Sequence, residues 1–175
     1  MWKILSMKVL SNNVGFRFSD QFTNVVTFHL NVSQIVGQTM GRILSKLTKL
    51  KFLKLTGILD PDFFKRFPKG VKCKVTHLEF LSETCLTVFT LEALTEIFPE
   101  LFFLALSFSH DIILAHLMKD TTKFQKLLFL RLNLLPSHSA LKLLSQVAPD
   151  LSAIYLHPDC LKCQMKNAQH LFPRT

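Results

Sequence analysis

Leu50-Lys51-Phe52-Leu53-Lys54-Leu55 sets leucine at the first, fourth and sixth places of a six-residue run. The run returns as Leu101-Phe102-Phe103-Leu104-Ala105-Leu106 and as Leu127-Leu128-Phe129-Leu130-Arg131-Leu132. Looser copies are Val25-Val26-Thr27-Phe28-His29-Leu30, Val75-Thr76-His77-Leu78-Glu79-Phe80 and Leu151-Ser152-Ala153-Ile154-Tyr155-Leu156. First positions fall at 25, 50, 75, 101, 127 and 151, so the steps are 25, 25, 26, 26 and 24 residues. A fixed period of this size predicts a stack of like units, because one such unit cannot bury its own apolar face and needs a neighbour on each side.

Each unit divides in two. The fourth and sixth residues of the run alternate as in a strand and are expected to point into the core. The second half has helical spacing: Met40, Ile43, Leu44 and Leu47 in one unit, Leu91, Leu94, Ile97 and Phe98 in another, Leu141, Leu144 and Val147 with Leu143 in a third. Each set forms one apolar stripe. Asp60-Pro61 reads as the opening of a further helix, with Asp as N-cap and Pro in the first turn, and Thr90 and Ser139 are candidate caps. Pro99 and Pro149 sit two residues before a new run, where they stop a helix and favour extended backbone. The expected fold is α/β: a solenoid of about six strand–turn–helix repeats of 24–26 residues, with a parallel sheet on the concave face and helices on the convex face. Truncating a core position such as Leu104 to Ala should cost ~2–5 kcal/mol.

The chain reads as one domain over 1–175. Residues 1–24, with Ile4, Met7, Val9, Phe16, Phe18 and Phe22, look like a worn preceding repeat; 25–156 are the repeats; 157–175 are a truncated last unit. Both ends of such a stack would expose Leu and Phe, which suggests a fragment or isoform of a longer protein.

Apolar residues make up 49% of the 175, including 17 Phe, and Gly numbers only 5, which argues against disorder. The longest uncharged stretch, Gln21 to Gly41, holds too many polar residues to span a bilayer. Lys8 interrupts the N-terminal apolar run and no small-residue cleavage site follows, so no signal peptide is expected. Cys73, Cys85, Cys160 and Cys163 then read as reduced thiols in a cytoplasmic or nuclear protein. The net charge is +9. Arg42, Lys46, Lys49, Lys51, Lys54, Lys65, Arg66, Lys69, Lys72 and Lys74 supply much of the positive charge, most simply as a solvated face.

The repeated LxxLxL run with a helical second half resembles the leucine-rich repeat family, over about residues 25–160. Glu96-Ile97-Phe98-Pro99-Glu100-Leu101-Phe102-Phe103-Leu104-Ala105-Leu106 and Val147-Ala148-Pro149-Asp150-Leu151 resemble the helix-to-strand joints of its ribonuclease-inhibitor and cysteine-containing subclasses, the latter found in F-box proteins. The resemblance implies a concave binding face and a substrate-recognition role in a cullin-type ubiquitin ligase. The family's Asn or Cys after the run, which bonds the turn backbone, is replaced here by Ser33, Ile58, Glu83, Ser109, Leu135 and Asp159, so the array should be irregular. The stretch before the repeats leaves no room for the F-box itself.

The third, fifth and seventh residues of each run should face outward. They give columns of Thr27, Phe52, His77, Phe103, Phe129 and Ala153; of His29, Lys54, Glu79, Ala105, Arg131 and Tyr155; and of Asn31, Thr56, Leu81, Ser107, Asn133 and His157. Phe52, Phe103 and Phe129 beside Lys54 and Arg131 have the composition of a protein-binding hot spot; with His77, Glu79 and Tyr155 they form the candidate partner-binding set. The competing reading covers these Phe with a loop or a missing segment.

Chemistry is weakly signalled. Cys160-Leu161-Lys162-Cys163 with His157 and His170 has zinc-like or redox-like spacing, but the usual second ligand pair is missing and Cys160 lies just past a repeat strand, so incidental cysteines are the plainer reading. Ser107, His110 and Asp111 have triad residue types but no nucleophile elbow. No phosphate-binding glycine motif occurs. Phe63, Phe64 and Phe67 within the basic cluster could suggest nucleic acid, yet their helical spacing fits a core stripe better. The expectation is a non-enzymatic, cofactor-free module that binds a protein, such as a ubiquitin-ligase substrate. The alternatives are a zinc- or redox-active protein using Cys160 and Cys163, and a basic nucleic-acid binder.

Overall fold

The computed structural model describes residues 3–9, 22–32, 37–57, 63–82, 88–106, 124–133 and 138–156. Among them the chain forms seven strands: β1 (Ile4–Val9), β2 (Thr27–Val32), β3 (Phe52–Gly57), β4 (His77–Ser82), β5 (Phe103–Leu106), β6 (Phe129–Leu132) and β7 (Ala153–Leu156). All pair in parallel, in chain order, in one sheet. From β2 on, each strand begins at the third residue of an apolar run. The register aligns Thr27, Phe52, His77, Phe103, Phe129 and Ala153 in one row across the sheet, which reproduces the spacing read from the sequence. A further strand, β1, precedes the first apolar run, its Ile4 lying opposite Thr27.

Three helices lie among the described residues: α1 (Gly37–Lys46) between β2 and β3, α2 (Val88–Ile97) between β4 and β5, and α3 (His138–Val147) between β6 and β7. Their inner residues, among them Met40, Ile43, Leu44, Leu94, Ile97, Leu144 and Val147, join the strand residues Phe28, Leu30, Leu53, Leu55, Leu78, Phe80, Leu104, Leu106, Leu130 and Leu132 in a single core. The architecture is therefore a parallel sheet with one face buried under helices and turns. α2 and α3 end two residues before Pro99 and Pro149, which have no N–H to extend the ladder. The same small turn then leads into the next strand, with Leu50 N–H donating to Leu47 C=O, Leu101 to Phe98, Leu127 to Phe124 and Leu151 to Ala148.

Two expectations are corrected. Residues 63–66, expected to continue a helix opened by Asp60-Pro61, form turns; Asp60 and Pro61 themselves lie outside the described residues. Phe63, Phe64 and Phe67 are nonetheless buried, because their rings pack on one another and on Phe80 and Phe98 with centroids 5.1–6.0 Å apart. Leu141, placed on the core stripe of α3, is 41% exposed; Leu144, Val147 and Ala148 carry that contact instead.

Candidate functional site

The other face of the sheet carries the first two of the three columns expected to face outward, and side-chain alternation sends their residues there. Its first row is aromatic over four strands. The Phe52 ring lies 4.3 Å from the His77 imidazole, which stacks on Phe103 at 5.8 Å and meets Phe102 at 5.7 Å. Phe102 contacts Phe129 at 5.1 Å, and Phe129 contacts Tyr155 at 6.1 Å. Phe52 and Tyr155 at the two ends are 43% and 49% exposed; His77, Phe103 and Phe129 between them are half-buried. The row is thus partly covered by its own rings.

The second row holds charge. Glu79 on β4 pairs with Lys54 on β3 at 2.9 Å and with Arg131 on β6 at 3.1 Å. The second contact passes over β5, where the register puts Ala105 directly between Glu79 and Arg131. Strand spacing sets the two backbones about 10 Å apart, so the side chains can meet only above a small residue. Ala105, expected at the surface, is consequently buried. Burial alone would raise the Glu79 pKa, but hydrogen bonding and charge from Lys54 and Arg131 outweigh it and hold the carboxyl below its usual value. One carboxylate oxygen, Oε2, is closed off from solvent, and the Lys54 ammonium 2.9 Å away neutralises it. Arg131 also lies over the Phe103 ring, 5.9 Å from its centroid, which locks the charged row to the aromatic one.

His77 joins the rows. Thr76 Oγ1 lies 2.9 Å from its Nδ1 and 3.4 Å from the Lys51 carbonyl, so a hydroxyl that donates to the carbonyl accepts from Nδ1–H. Partial burial lowers the His77 pKa, which favours the neutral, stacking ring. Beside it a cavity of about 150 Å³ is lined by His29, Phe52, Leu53, Lys54, His77 and Glu79.

All eight expected binding residues, Phe52, Lys54, His77, Glu79, Phe103, Phe129, Arg131 and Tyr155, thus lie on one sheet face, from β3 to β7. The sequence reading missed Phe102, Thr76 and His29. Phe102 precedes its strand, outside the outward columns, and only its doubling with Phe103 hinted at a role. Thr76 likewise precedes β4, and His29 stood in an outward column between Thr27 and Asn31, neither of which carries a ring. Cys160, Cys163, His157 and His170 lie outside the described residues, as do Ser107, His110 and Asp111. Among the described residues no group of His, Cys, Asp and Glu is assembled to hold a metal. Cys73 is buried, and desolvation pushes its thiol up to about 11. Also among them, no helix is long and apolar enough to cross a membrane.

Comparison with known proteins gives no significant match to a family model, a curated protein or a solved structure.

Proposed function

We propose that this chain is a leucine-rich repeat solenoid that works as a non-enzymatic interaction module, capturing a protein partner on the exposed face of its sheet. The observation that carries the reading is the chain of ring contacts from Phe52 through His77 and Phe102 to Phe129 and Tyr155, with Phe103 stacked on His77 and Lys54, Glu79 and Arg131 alongside. Large rings held rigid by their neighbours bury apolar area on binding with little further loss of side-chain freedom. Lys54 and Arg131 are cationic, and Glu79 offsets one of them, so the face suits a partner presenting an apolar surface edged with acidic groups. The regular strand spacing supports the repeat reading; the resemblance to F-box proteins, and not the spacing, is what suggests a role as the substrate-recognition part of a ubiquitin ligase.

The test is affinity capture with the intact chain and with a Phe52→Asp/Phe129→Asp variant, followed by calorimetry on each purified partner. Thermal unfolding should be nearly unchanged in the variant, since Phe52 is exposed and Phe129 only half-buried. Binding should weaken by about 100-fold or more, the scale of two hot-spot side chains. Undiminished binding by the folded variant would sink the reading.

A further inference from the structure

The layer on the buried side of the sheet contains a cleft, across the core from the aromatic row. Segment 63–72 is drawn hard against α1: a Cβ on Gly37 would meet the Phe63 carbonyl, and one on Gly41 the Pro68 ring. On its other flank the same segment leaves a cavity of about 540 Å³ against α2. Pro68, Val71, Ala93 and Pro99 form its accessible apolar floor over the buried Phe64, Phe67 and Ile97, while Lys69 and Lys72 line the same cavity with a single carboxylate, Glu96. Both lysines are exposed.

We propose that this cleft binds an acidic peptide segment, which sets one or two bulky apolar side chains on the floor and its carboxylates against Lys69 and Lys72. The volume is in the range that takes a few side chains and exceeds that of a simple anion. The charge favours the peptide twice, through the local excess of lysine and through the net +9 of the chain, which steers acidic partners at long range. Single-stranded nucleic acid fits less well. Phe64 and Phe67 are buried in an edge-packed ring cluster and offer no free face for a base. A lipid surface needs apolar groups that protrude, and here they are recessed. The cleft shares no residue with the aromatic row, so each site stands or falls separately.

The probe is a short fluorescent glutamate-rich peptide carrying two leucines, titrated into the full chain and read by anisotropy. Saturable binding is expected, weakening as salt screens the charges. Lys69→Glu/Lys72→Glu should lower affinity about tenfold or more. Lys3→Glu/Lys142→Glu, with the same change in net charge at exposed positions elsewhere, should stay within about twofold of the wild type. Thermal melts check that both variants are folded. Replacing the peptide's leucines by serine should also abolish binding. Absent saturation, equal losses in the two variants, or full affinity of the leucine-free peptide would each overturn the proposal. So would an oligonucleotide or an anionic vesicle that displaces the peptide through the same lysines at lower concentration.

Discussion

A leucine at position 105 would stand where the Glu79 carboxylate and the Arg131 guanidinium now meet. Ala105→Leu should therefore part the pair and cost ~1–3 kcal/mol in overpacking, measured as a lower denaturant midpoint. Glu79 supplies a pH signature. Its folded pKa is depressed, so its contribution is present above the ordinary glutamate value of about 4.5 and is lost as pH falls through the folded value. Glu79→Gln should destabilise by roughly 1 kcal/mol at pH 7, the scale of a half-exposed ion pair. The difference from wild type should shrink toward zero on acidification, and a gap that stays constant down to pH 3 would show that the charge is not its source. The sequence placed Lys54, Glu79 and Arg131 in one column, since strand alternation fixes which face a residue occupies. It did not disclose their pairing, because that depends on reach across a neighbouring strand and on what stands beneath.

At the scale of elements, the strands were legible and the helices less so. A period-two pattern anchored on Leu53 and Leu55 or Leu104 and Leu106 leaves one way to bury both leucines, so the strand positions follow. The stripe of Phe63, Phe64 and Phe67 is buried whether its backbone is helical or turned, and the apolar pattern alone does not separate the two. Gly37 and Gly41 offer a physical reason for the outcome: they let segment 63–68 press on α1 more closely than two ordinary helices of 8–10 Å axial distance allow. Gly41→Ala adds a methyl where the Pro68 ring lies. It should cost more than the ~1 kcal/mol that the helix propensity of alanine returns, giving a net fall in melting temperature. A rise in melting temperature would mean that the contact is slack.

At the largest scale, the seven parallel strands among the described residues follow chain order, which makes the strand contacts a succession of neighbours, β1 with β2 through β6 with β7. That linear order was the most legible property of the chain, since a repeat of 24–26 residues brings each strand beside the one a period earlier. A linear stack can open piecemeal, because losing one unit removes contacts only with the next. The Lys54–Glu79–Arg131 triad departs from nearest-neighbour order: it fastens β3, β4 and β6 and passes over β5. In native-state hydrogen exchange, amides of β4, β5 and β6 should then share one opening free energy. In Glu79→Gln, β6 and β7 should exchange ahead of β4. A surface ion pair of small energy would in that way set how many strands melt together, acting as a seam that turns a row of separable units into one cooperative body.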